Sequence, residues 1–127
     1  MKAFTDIEQS RKLAKILPIE SADCFWDYDE MQKFHRISWF EDGYNKESQL
    51  MLNENNVCAW SLAALLDVLP DRICLDNENY YLNFQKDKVE YLGYMTWDGQ
   101  KCVSAKSNTI VDAAFEMVVW LKENGKI

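Results

Sequence analysis

Long apolar runs are missing from this 127-residue chain. No stretch approaches the ~20 residues that span a bilayer. Residues 1–18 are charged and periodic where a secretory signal carries an unbroken apolar centre, so a protein of the cytoplasm, with no membrane association, is expected. Glycine is scarce: Gly43, Gly93, Gly99 and Gly125 are the only four, none adjacent. Neither G-x-x-x-x-G-K-[ST] nor G-x-G-x-x-G occurs, which removes the usual backbone cradle for nucleotide phosphates and leaves no cofactor expected. Histidine occurs once, as His35, and the four cysteines, Cys24, Cys58, Cys74 and Cys102, form no C-x-x-C pair. A metal site is therefore not expected. With apolar neighbours and no export signal, the cysteines are expected as reduced core residues. Cations are outnumbered, 14 Lys and Arg against 21 Asp and Glu, for a formal net charge of -7. Nucleic-acid affinity draws on cation clusters that displace counterions, so direct binding of DNA or RNA is disfavoured.

Hydrophobic residues make up 48% and aromatics 13% of the chain, enough to bury a core without metals or crosslinks, and one domain over residues 1–127 is expected. Thr5, followed three residues on by Glu8, reads as a capping box opening a helix that carries Ile7, Leu13, Ala14 and Leu17 at helical spacing and stops at Pro18. Residues 24–28 and 34–40 read as a hairpin across a polar turn at 29–32. Residues 41–56 are polar around Gly43 and an asparagine cluster, and read as a long loop or short edge strand; loops of this length in compact domains are often functional. Ser61 precedes a helix over 62–69 that is apolar nearly all round, which places it in the interior. Strands over 73–75, 80–85, 89–97 and 102–105 follow as an antiparallel meander, with Lys86-Asp87-Lys88 and Asp98-Gly99 at the turns. A last helix starts near Thr109, with Asp112 three positions on, and ends at Gly125. The fold expected is α+β: one antiparallel sheet of about four to six strands with three helices, N-terminal, central buried and C-terminal. Residues 13–18 (LAKILP) and 65–70 (LLDVLP) also resemble each other, which raises the idea of two related helix-then-strand units.

Residues 59–70 (AWSLAALLDVLP) resemble the signature of a family of small uncharacterised proteins encoded by Bacteroides-type gut bacteria and their phages or mobile elements. Residues 4–23 (FTDIEQSRKLAKILPIESAD) and 111–122 (VDAAFEMVVWLK), followed by Glu123-Asn124-Gly125, are similar to the start and end of those proteins. Residues 41–56 stand outside the resemblance. It implies a bacterial setting, and it brings no catalytic or ligand-binding residue with it.

Among side chains that could do chemistry, His35 alone has an ordinary pKa near neutrality. In the strand reading it shares a face with Ile37 and Trp39, the setting of a packed histidine rather than a catalyst. Asp27, Asp29 and Glu30, and the stretch 76–79, lack the glycine and glutamate spacing of a calcium loop and read as solvated turns. No catalytic, cofactor-binding or metal-binding residue is therefore assigned. The last helix is more specific. At 100° per residue Asp112, Glu116 and Glu123 fall within about 40° of one another, Val119 borders that stripe about 20° to one side, and Phe115 and Trp120 lie on its flanks. An apolar patch with a tryptophan, rimmed by charge, has the composition of a partner-binding surface. Phe115, Glu116, Val119 and Trp120 are the candidate protein-binding residues.

These features favour a non-enzymatic accessory or interaction protein, connected with phage or mobile elements, that docks another protein through an acidic surface with embedded aromatics. One alternative is a DNA-mimic inhibitor of a nuclease or restriction enzyme, which requires most of Asp23, Asp27, Asp29, Glu41, Asp42 and neighbouring acids on one continuous face. A second is a small hydrolase or transferase using His35, which requires a carboxylate or thiol against the imidazole.

Overall fold

The computed structural model describes residues 2–127. They fall into two compact units: Ala3–Ala64, and Lys2 with Leu65–Ile127. The fold is α+β, as expected, but the strands form two antiparallel sheets, of three and four strands, and there are four α-helices. No helix of the described residues is long and apolar enough to cross a membrane.

In the N-terminal unit, α1 (Ile7–Ala14) is capped by Asp6, whose carboxylate accepts from Gln9 N–H while the Gln9 side chain accepts from Asp6 N–H. The capping box thus lies one residue later than Thr5–Glu8 predicts. Thr5 is committed elsewhere: its N–H donates to the Trp60 carbonyl at 3.0 Å, and its hydroxyl accepts from Trp60 N–H at 3.1 Å. β1 (Cys24–Asp29) and β2 (Phe34–Trp39) form the expected hairpin. At its turn one Asp29 carboxylate oxygen accepts from Met31 and Gln32 N–H. β3 (Val57–Ala59), a strand not foreseen, returns to pair with β1, so the order is β2-β1-β3. This closure makes the hairpin part of its own sheet rather than of the later meander. Between β2 and β3, where a loop or edge strand is predicted, lies α2 (Lys46–Leu50), capped by Asn45 through Ser48 N–H.

α3 (Leu62–Val68) opens at Ser61, whose hydroxyl accepts from Ala64 N–H at 3.2 Å. The Asp23 carboxylate accepts from Ser61 N–H and from the Ser61 hydroxyl, bringing a negative charge to a helix N-terminus, where the dipole favours it. α3 is less enclosed than its composition suggests: Leu65 is buried, whereas Ala63 and Asp67 face water.

In the C-terminal unit β4 (Arg72–Leu75), β5 (Glu78–Gln85), β6 (Lys88–Thr96) and β7 (Gly99–Lys106) run as the meander that alternation predicts, in the order β4-β5-β6-β7. Gly99 has φ +124°, which suits glycine at the Asp98-Gly99 turn. α4 (Ile110–Glu123) is capped by Thr109 and packs on β6 and β7, burying Val111, Ala113, Ala114, Met117, Val118 and Leu121. Val89 and Tyr91 of β6 are fully buried. Gly93 lies under the Tyr80 ring, where an added Cβ would stand 2.8 Å from a ring carbon. All four cysteines are free thiols, but only Cys24 and Cys58 are core residues; Cys74 and Cys102 are exposed. Apolar neighbours mislead here because a strand alternates: Cys74 follows buried Ile73 and so faces the other side of the sheet.

Candidate functional site

His35 sits on β2 opposite Tyr28, on the face it shares with Ile37 and Trp39, as the strand period requires. Its Nε2 lies 2.9 Å from the Asn55 carbonyl, an acceptor, so Nε2 carries a proton and donates. The ring also lies 5.0 Å from the Tyr28 ring. Its partners are thus a backbone carbonyl and an aromatic, not an acid or a thiol. Burial raises the thiols of Cys24 and Cys58, and the neighbouring Asp23 charge pushes Cys24 further in the same direction. Both stay protonated and poorly nucleophilic at neutral pH. Among the described residues no group of three or more His, Cys, Asp or Glu side chains is placed to hold a metal ion.

On α4 the four candidate residues separate. Glu116 is exposed and Trp120 half-buried, and together with Met117 they form one wall of a concavity of about 330 Å³ whose other wall is Val103, Ser104, Ala105 and Lys106 of β7. Phe115 and Val119 are half-buried and lie outside that lining. Asp112, the first acid of the predicted stripe, is not a free surface charge. One oxygen accepts from Lys2 Nζ at 2.6 Å, and the other from the Thr109 hydroxyl at 2.9 Å. The acid stripe is thereby reduced to Glu116 and Glu123, both exposed. β7 is the terminal strand of its sheet, so the concavity runs beside a row of backbone groups that no further strand pairs.

A second concavity, of about 490 Å³, lies in the N-terminal unit and is lined by Phe25, Asp27, Ser38, Trp39, Glu41, Tyr44, Gln49 and Leu52. Its floor follows from strand alternation. Phe25 and Asp27 are two apart on β1 and share a face with Ser38 of β2, which lies opposite Phe25. Its outer wall is built by residues 41–52 and held by one side chain. Gln49 Oε1 accepts from Glu41 N–H at 2.8 Å, while its Nε2 donates to the carbonyls of Glu41 at 3.2 Å and Tyr44 at 3.3 Å. Behind it, the Lys46 ammonium donates to the backbone carbonyls of Glu20 and Ala22 and stands 5.5 Å from the Phe40 ring centre. Phe40 in turn stacks on Phe25 at 4.9 Å. The length and polarity of 41–56 signal a working loop; the sheet face it covers, and the role of Gln49, have no signature in sequence.

Comparison of the chain with protein-family models, with curated proteins and with solved structures finds no match.

Proposed function

We propose that this chain is a non-enzymatic interaction protein of the bacterial cytoplasm, connected with phage or mobile elements, that docks another protein through an acidic surface with embedded aromatics. The observation that carries the reading is the α4–β7 concavity, where a half-buried Trp120 and an exposed Glu116 stand beside an unpaired strand edge. Tryptophan at a partly enclosed position offers large apolar area at small entropic cost, which is why it dominates the energetics of docking surfaces. An unpaired strand edge supplies backbone hydrogen bonds to an incoming extended segment.

Two features weigh for docking over the alternatives. A phosphate mimic needs its carboxylates free, yet the Asp23 carboxylate is taken by Ser61 and that of Asp29 by Arg36 and turn N–H groups. A His35-centred hydrolase needs an activating acid or a nucleophile at the ring, where a carbonyl stands instead.

The test is recovery of a partner with tagged protein from the native host, during growth and during phage infection, using the parent chain and Trp120→Asp. The reading expects a partner that the variant loses while its far-ultraviolet circular dichroism stays unchanged. A partner retained undiminished by the folded variant, or none under any condition, overturns it.

A further inference from the structure

We infer that the concavity of the N-terminal unit is a docking site for an arginine-bearing segment of a basic protein partner. Asp27 and Glu41 both line the groove, and among the described residues neither carboxylate takes a hydrogen bond or an ion pair. The nearby cations are committed elsewhere. Arg36 lies directly across from Asp27 in the β1–β2 register, but its guanidinium goes to Asp29 at 3.0 Å. Lys46 is held by the Glu20 and Ala22 carbonyls. Two carboxylates with no hydrogen bond or ion pair of their own thus belong to residues that line one concave volume.

Apolar surface adjoins these two carboxylates. Phe25 forms the floor, and the rim carries Tyr44 and Leu52, whose exposures are 68% and 84%. A ligand that fits has a cationic head and an apolar stem. Arginine suits it better than lysine, because a planar guanidinium meets carboxylates with paired N–H groups, lies flat on aromatic rings and is more weakly hydrated. An acidic peptide or a nucleic acid would be repelled by the same two carboxylates. The wall is also set before any ligand arrives: the Gln49 clamp fixes the backbone at Glu41 and Tyr44, which lowers the ordering cost of docking. A second copy of this chain, itself at net charge -7, is a poor occupant of an acidic groove.

The experiment is an amide NMR titration of the full chain with an eight-residue peptide alternating arginine and serine, with the citrulline-for-arginine peptide as its uncharged counterpart. Expected are saturable shifts at Phe25, Asp27, Glu41, Tyr44 and Leu52 with the arginine peptide and none with citrulline. Asp27→Asn with Glu41→Gln weakens binding about fivefold or more, by the usual strength of exposed charge pairs, whereas the charge-matched pair Glu8→Gln with Glu123→Gln leaves it in place. Three results overturn the inference: shifts spread over the surface that fall equally in both double variants, equal shifts with the citrulline peptide, or concentration-dependent shifts at the same amides without peptide, which would mark a second copy as the occupant. Trp120→Asp leaves this titration unchanged, so the groove stands or falls separately from the α4 surface.

Discussion

Each of the two units of this chain has its own internal bonds, and these differ greatly in reach. In Ala3–Ala64 the decisive contacts are long-range and polar: Trp60 N–H to the Thr5 hydroxyl across 55 residues, the Trp60 indole N–H to Ser21 across 39, and Ser61 to Asp23 across 38. Thr5, Ser10 and Ser61 are buried with them. In Leu65–Ile127 each strand pairs with the next through a tight turn, and the buried polar group, Glu90, finds Asn83 at 3.0 Å and Lys88 at 3.2 Å on neighbouring positions. One unit is closed by a polar network whose members meet only when the fold is complete. The other is assembled from hairpins and a helix laid on them. Networks of the first kind leave costly unpaired groups when one member is lost, because the survivors are already out of water.

That contrast can be broken at several points. The largest effect is expected from Trp60→Ala, which empties a fully buried indole site and removes its bond to Ser21; a loss of about 3–5 kcal/mol in urea denaturation is expected, and a loss under about 1 kcal/mol would contradict the closure described. Next comes Asp23→Ala, which strands the N–H and hydroxyl of Ser61 and should cost about 1–3 kcal/mol. Its C-terminal counterpart, Tyr91→Phe, removes one bond to the Pro70 carbonyl and should cost about 0.5–1.5 kcal/mol; the reverse ranking would abolish the distinction between the units. Helix caps should not distinguish them at all: Asp6→Ala and Thr109→Ala remove equivalent local caps, each worth about 1 kcal/mol.

The smallest effect concerns thiols. Cys24 and Cys58 are buried with raised pKa values, while Cys74 and Cys102 are exposed, so iodoacetamide at neutral pH should modify two cysteines quickly and two only on unfolding, as read by intact mass. A thiol whose folded pKa is raised above its unfolded value, here 9.0, holds its proton when folded but sheds it when unfolded. Its contribution is complete below that pH and is lost as pH rises through the alkaline range. Melting temperature should therefore fall with pH there, and less steeply in Cys24→Ala.

The reach of the contacts also explains which parts of the molecule could be read from sequence. The meander, the hairpin at Cys24–Asp29 and Phe34–Trp39, and α4 with its Thr109 cap are local patterns, and alternation or helical spacing identifies them. The capping box slides from Thr5 to Asp6 because Trp60 claims Thr5, a fact no neighbouring residue announces. β3 has only three residues, and its pairing with β1 separates the strands into two sheets. The two similar stretches LAKILP and LLDVLP each follow helical residues, one in each unit, but the sheets that follow differ in strand order, β2-β1-β3 against β4-β5-β6-β7. Of the four α4 candidates, helical spacing locates all on the less buried side, yet only Glu116 and Trp120 reach the concavity. Which flank stays open depends on where β7 runs, and β7 is placed by three preceding turns rather than by any residue of the helix.

β7 itself carries a consequence for how copies of this chain behave at high concentration. A long terminal strand with open backbone groups is a template on which like strands can stack into fibres. Along Gly99–Lys106 the ionisable side chains besides Cys102 are Lys101, whose ammonium is paired with Glu78 at 3.4 Å, and Lys106, with no acid among them, so a second β7 laid alongside in parallel register would bring Lys106 against Lys106. Acetylation of Lys106 would remove that repulsion and turn a solitary edge into an adhesive one.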